Sequence, residues 1–296
     1  MRGREIDIAV DGGLLHVGVW GPDSGDVPVV LAVHGITASY LSWAPVARQL
    51  TDVRLIAPDL RGRGRSADLP GPWGMARHAE DLARVVKALA APEVLVAGHS
   101  MGAFVAVVFN HMYPALARQL LLVDGGLPLP LPPNLSAEQL TALVLGPALS
   151  RLSMTFPDRN AYREFWRRHP ALATDWNADV EAYVDYDLVG QKPALVSCVR
   201  PEAVREDSKD QIEGAALREA ISALASRRVV LLRAPRGLLG EPPGLYPEQL
   251  LGSYAIASPG MRYRTVPDVN HYTMLLSERG AAAVAGEIRA LLAEPH

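Results

Sequence analysis

The chain has 296 residues, 49% of them hydrophobic and 21% charged, with a formal net charge of −3 and one cysteine. These proportions are ordinary for a globular chain and exclude collagen-like, coiled-coil and disordered readings. The slightly acidic balance lacks the concentrated positive field that phosphate backbones require, so no nucleic-acid partner is expected. A single thiol, Cys198, can form neither an intrachain disulfide nor a cysteine-built zinc site. No apolar run approaches the ~18 residues of a membrane span. The opening Met-Arg-Gly-Arg-Glu runs into strand-like sequence without an apolar signal core, so no membrane association is expected and the cytoplasm is the default compartment.

In chain order, Glu5–Val10 and Leu14–Trp20 flank the turn Asp11-Gly12-Gly13 and predict a hairpin. Val29–Val33 is a continuous apolar run, as expected of a strand covered on both faces. Leu41–Leu50 has helical spacing, Arg54–Ala57 reads as a strand stopped at Pro58, and Asp59–Ser66 is a glycine-punctuated loop. Met75–Leu89 has the spacing of an amphipathic helix. The strand Glu93–Ala97 and the helix Met101–Tyr113, ended by Pro114, come next, followed by the apolar strand Leu120–Val123.

From Gly125 to about Ser226 the rhythm changes to proline-rich turns (Leu127–Pro133), helical patterns and aromatics, with no convincing buried strand. Strand patterns resume at Arg228–Leu232 and Met261–Val266, and Ala281–Leu292 predicts a terminal helix. Alternating strands and helices imply an α/β fold, a mostly parallel sheet with helices on both faces. Residues 1–124 and 227–296 form the expected core, with 125–226 as a helical cap.

Between a strand and a helix lies Gly98-His99-Ser100-Met101-Gly102, the G-x-S-x-G pattern of a nucleophile elbow. The turn is so tight that side chains two residues either side of the serine would meet neighbouring backbone, which explains the glycines. The serine is thereby presented beside a helix start, where the dipole and free N–H groups favour developing negative charge. A coincidental glycine turn is the bland reading; the strand before and the helix after argue against it. The strand Val29–Val33 also runs directly into His34-Gly35-Ile36-Thr37. A serine hydrolase holds its oxyanion with the N–H after the nucleophile and one from this upstream loop, here Met101 and Ile36. His34 is expected to buttress the loop.

Taken with the loop Pro58-Asp59-Leu60-Arg61-Gly62-Arg63-Gly64-Arg65-Ser66 and a late histidine in Val266-Pro267-Asp268-Val269-Asn270-His271, the chain resembles the α/β-hydrolase fold superfamily over nearly its whole length. The resemblance implies a serine hydrolase with a helical cap and leaves the substrate open. A serine hydroxyl needs a general base. Of the eight histidines, His271 lies after the last predicted strand, on the edge of the sheet that carries Ser100. His99 adjoins the serine but should point elsewhere, His16 and His78 look like surface or packing residues, and His169 is a possible pocket residue.

The family commonly carries its acid in the loop after the post-cap strand, where this chain has no aspartate and Glu241 comes late. Asp124 is the alternative. It ends the strand Leu120–Val123, which should lie beside the elbow strand, about 4.8 Å away. The acid is expected to be Asp124 and the triad Ser100, His271 and Asp124, with Glu241 as the rival and Asp268 too tightly tethered. Asp59 and Arg61 are read as tying down their loop, and Gly62-Arg63-Gly64 is not a phosphate cradle.

The expected reaction is cleavage of a carboxylic ester or lactone, without metal or cofactor. The same triad would also serve carbon–carbon bond hydrolysis, peracid formation or amide hydrolysis, and the fold can act as a small-molecule receptor. Leu127, Leu129, Phe156, Trp166, Trp176 and Tyr183 are expected to line an apolar pocket for a moderately bulky small-molecule substrate.

Overall fold

The computed structural model describes every residue except 1–2, 24–26, 92, 130–138, 140–145, 147, 225–227, 258–259 and 295–296. The hairpin β1 (Arg4–Val10) and β2 (Gly13–Trp20) leads into β3 (Val29–Val33), α1 (Ala44–Gln49), β4 (Arg54–Pro58) and α2 (Met75–Ala88). Then come β5 (Val94–His99), α3 (Met101–Met112) and β6 (Ala117–Val123). The insertion carries α4 (Arg159–Arg167), α5 (Ala178–Asp187), β7 (Leu188–Gln191), β8 (Ala194–Ser197), α6 (Pro201–Glu213) and α7 (Ala215–Ala223). The chain ends with β9 (Val229–Arg233), α8 (Glu248–Ala257), β10 (Met261–Thr265), α9 (Thr273–Leu276) and α10 (Glu278–Ala293).

The main sheet runs β1-β2-β4-β3-β5-β6-β9-β10. Pairing is antiparallel at β1–β2 and β2–β4 and parallel from β4 to β10. Side chains alternate across a strand, and the central strands send both sets into apolar layers. Leu31, Val33, Val94 and Val96 pack with α2 and α3 on one face. Val30, Ala32, Leu95, Ala97, Leu121 and Val123 pack with α1 and α10 on the other. That is why β3, β5 and β6 read as unbroken apolar runs rather than alternating ones.

Two features differ from the sequence reading. The insertion holds an antiparallel hairpin, β7–β8, in its own small sheet. Its strands are short and mostly exposed, so no apolar run marks them. And α7, counted with the cap on sequence, packs its Leu217 and Ala220, with Leu224 just beyond, into the same apolar layer as α2 and α3. This i, i+3, i+7 stripe makes that end of the insertion part of the layered core. Pro130–Pro133 of the expected proline-rich turn and the boundary at residues 226 and 227 lie outside the described residues. No described helix is long and apolar enough to cross a membrane.

Candidate active site

Parallel β5 and β6 end side by side, with His99 paired to Val123, so Ser100 and Asp124 leave the same edge of the sheet on adjacent strands. Ser100 is the N-cap of α3 at φ 55° and ψ −126°, a conformation that L-residues seldom adopt and that active sites often hold under strain. Its neighbours leave no room for anything but glycine. A Cβ on Gly98 would sit 2.2 Å from the Gly102 carbonyl oxygen, and one on Gly102 would sit 2.2 Å from the Val33 oxygen. The Ser100 N–H donates to the Val123 carbonyl at 3.0 Å.

The loop after β3 is fixed peptide by peptide. The Gly35 carbonyl accepts from His34 Nδ1 at 2.8 Å and from the Ala38 N–H at 3.1 Å. The carbonyl of that peptide is thus held on one side, and its other end, the Ile36 N–H, is directed away. His34 Nε2 accepts from the Leu60 N–H at 2.9 Å, which leaves Nδ1 as the protonated nitrogen. Burial holds His34 down to about 3, outweighing the bond to Gly35, so this clamp is neutral. A Cβ on Gly35 would lie 3.5 Å from Ser100 Oγ, which places the loop against the serine. Neither the Ile36 nor the Met101 N–H is engaged elsewhere among the described residues.

His271 follows β10. Asn270 sets its loop: the Asn270 side-chain oxygen accepts from the Tyr272 and Thr273 N–H groups at 3.0 Å each, its N–H donates to Thr273 Oγ1 at 2.7 Å, and its amide donates to the Ala171 carbonyl at 2.8 Å. The His271 ring, 3% exposed, meets Asp124 with 2.7 Å between Nδ1 and Oδ2. Asp124 Oδ1 accepts from the Ala234 N–H at 3.0 Å, so both carboxylate oxygens have donors and the group is fully buried. The rival acids lie elsewhere. Glu241 is exposed and has no bond to His271 among the described residues; Asp268 pairs with Arg279 at 2.7 Å.

His99 Nε2 donates to the His271 carbonyl at 2.9 Å, and the two rings pack with centroids 4.6 Å apart and planes inclined by 35°. Burial, with His271 beside it, pushes His99 well below the ordinary histidine range, so it stays neutral. Ser100 and His271 line one cleft. No hydrogen bond joins Ser100 Oγ to the ring among the described residues; such bonds are often loose before substrate binds.

Of the six residues expected to line the pocket, Tyr183 alone reaches this cleft. Trp166 and Tyr183 border a smaller adjoining cavity. Phe156, Trp166 and Tyr183 form the insertion's own apolar cluster, against which Trp176 packs, while Leu127 and Leu129 join the core layer. Apart from Tyr183 and the edge of Trp166, these side chains are taken up in packing the insertion and seating it. The apolar walls come instead from Ala38, Leu238, Tyr272, Leu275 and Leu276, none of which the sequence reading singled out. Tyr272, Leu275 and Leu276 lie within five residues of His271, which was the available signal. Asp59 and Arg61 tie down their loop: Asp59 accepts from the Tyr40 and Arg65 N–H groups at 2.9 Å each, and Arg61 forms a two-pronged pair with Asp81 at 2.9 and 3.0 Å. His169 packs on Trp166 and Tyr272 without lining the cleft. His16 and His78 are both buried. Among the described residues no group of three or more His, Cys, Asp or Glu is placed to hold a metal ion.

The mostly parallel sheet is covered on both faces and carries a serine at the tight turn between strand and helix. The alpha/beta hydrolase family model matches residues 29–287, and the chain belongs to that family. Among curated proteins, an uncharacterised protein of Mycobacterium tuberculosis is 33% identical over 104 residues, which are 35% of this chain and only 30% of that protein. The 2-(acetamidomethylene)succinate hydrolase of Mesorhizobium japonicum is 27% identical over 254 residues, 84% of each chain. Lipase LipV of Mycobacterium tuberculosis is 36% identical over 110 residues, 37% of this chain and 41% of that one. Among solved structures, the thioesterase domain from the curacin biosynthetic pathway superposes with a TM-score of 0.75 at 22% identity, covering 98% of this chain and 100% of that one. At that identity the likeness shows the fold.

Proposed function

We propose that the chain is a serine hydrolase that cleaves carboxylic esters or lactones through Ser100, His271 and Asp124. The observation that carries the reading is the buried 2.7 Å contact between Asp124 Oδ2 and His271 Nδ1, beside a serine held at positive φ. With Nδ1–H committed to Asp124, Nε2 is the basic nitrogen. It takes the Ser100 proton as Oγ attacks the substrate carbonyl, and Asp124 stabilises the resulting imidazolium. The Ile36 and Met101 N–H groups receive the oxyanion. The imidazolium then protonates the departing alkoxide, leaving an acyl-serine. Water, deprotonated by the same Nε2, repeats the sequence and releases the acid.

The cleft's apolar walls favour an uncharged, moderately bulky apolar acyl or lactone group. Amide-type cleavage is the second reading, favoured by the 27% identity, over 84% of each chain, to a relative named 2-(acetamidomethylene)succinate hydrolase. Turnover of p-nitrophenyl butyrate against its anilide separates the two. For either substrate class, Ser100→Ala should lower kcat by about four to six orders of magnitude in a folded protein. Turnover near the parent level would contradict the serine mechanism.

A further inference from the structure

We infer that Arg63 is a positioning residue that fixes the oxyanion loop, and that the insertion controls it through Asp207. This rests on the proposed role of the Ile36 and Met101 N–H groups. The peptide before the Ile36 Cα is held at the Gly35 carbonyl by His34 and Ala38. The peptide after it is held by Arg63, whose Nε donates to the Ile36 carbonyl at 2.8 Å. With both planes pinned, the Ile36 N–H has one direction. Arg63 also reaches the second proposed donor residue, with Nη2 at 4.0 Å from Met101 Sδ.

Arg63 is 0% exposed, and a buried guanidinium sits where its counter-charge holds it. That counter-charge is Asp207 on α6, with Oδ2 at 2.5 Å from Arg63 Nη1; the same nitrogen donates to the Arg61 carbonyl at 2.9 Å. Asp207 is fixed in turn by the Gly74 N–H at 2.6 Å and by His78 at 3.0 Å. The cluster therefore spans three parts of the chain: the loop beside Ser100, the start of α2 and the insertion. A simple tie between insertion and core would need only the ion pair. The Nε bond to Ile36 aims the remaining prong at the reacting edge of the sheet.

The test uses Arg63→Lys, which keeps the charge but loses the fork that serves Ile36 and Asp207 together, and Asp207→Asn, which keeps the shape and removes the counter-charge. Four quantities are compared with the parent enzyme: kcat, KM, melting temperature, and affinity for an alkyl boronic acid that forms a tetrahedral adduct on the serine. A misdirected oxyanion donor weakens the tetrahedral state and spares ground-state binding. For Arg63→Lys, kcat and boronate affinity should fall together by about tenfold or more, with KM within about twofold. Should that variant not fold, Asp207→Asn decides, with the same joint fall at about threefold or more. Folded variants whose kcat and boronate affinity stay within about twofold, or that change only KM or melting temperature, would overturn the inference. Failure of the parent reading looks different, because the unmodified enzyme would then bind no boronate or Ser100→Ala would keep its turnover.

Discussion

Asp124→Asn separates the roles of the acid's two oxygens. Asp124 Oδ1 serves the Ala234 N–H and Oδ2 serves His271, whereas an asparagine has one oxygen for the two places. If its oxygen stays with Ala234, its NH2 faces Nδ1. That nitrogen must then accept, so the ring proton moves to Nε2 and points at Ser100, where it cannot take a proton. The flipped amide sets an NH2 against the Ala234 N–H, two donors facing each other in a buried site, at a cost of about 1–3 kcal/mol. The first arrangement is therefore favoured, and it is the inactive one. Loss of the correct tautomer should lower kcat by about 10⁴. Glu241→Gln, at an exposed position, should change stability by less than about 0.5 kcal/mol and leave kcat near parent. Ester kinetics on titrated active sites, with melting curves for both variants, measures this directly. A large loss in Glu241→Gln with a small one in folded Asp124→Asn would refute the assignment.

Two further predictions concern the frame around the site. His34 is held down to about 3 and His99 well below its ordinary range, both chiefly by burial. Below pH ~6.5 the unfolded chain protonates both residues and the folded one does not, so stability is retained above that pH and lost as pH falls toward 3. His34 alone contributes a slope approaching about 1.4 kcal/mol per pH unit below pH ~6.5, and His99 adds in the same direction; urea midpoints unchanged between pH 7 and 5 would contradict it. Gly98→Ala should cost at least about 2–3 kcal/mol, because its Cβ would sit 2.2 Å from the Gly102 carbonyl oxygen. Gly286→Ala, in α10 with nothing within 4 Å, should stabilise by about 0.5–1 kcal/mol. Equal melting temperatures for the two variants would be inconsistent with the packing described.

Much of the core was legible because burial on both faces writes itself as apolar runs. The predicted Val29–Val33 has the observed bounds, and the edge strand β10 begins at Met261 as expected. The elbow was legible because a tight turn dictates glycines, and the Gly98 and Gly102 distances give the reason. Asp124 could be placed beside Ser100 because consecutive parallel strands are neighbours. What escaped depends on tertiary contact. The β7–β8 hairpin is mostly solvent-facing, so its apolar pattern is weak. Most large aromatics of the insertion bury one another, and only Tyr183 of those expected there reaches the cleft; sequence does not distinguish a residue that packs a cap from one that touches a ligand. Arg63 read as part of a polar loop, since its partner Asp207 is 144 positions away.

On the proposed mechanism Ser100 becomes acylated with the help of His271 and Asp124. Intact-mass analysis after treatment with an alkyl fluorophosphonate, followed by peptide mapping, reads this out. One adduct per chain is expected, located on Ser100, absent in Ser100→Ala and formed far more slowly in His271→Ala and Asp124→Asn. An adduct on a different residue, or an enzyme that hydrolyses esters yet resists labelling at Ser100, would contradict it.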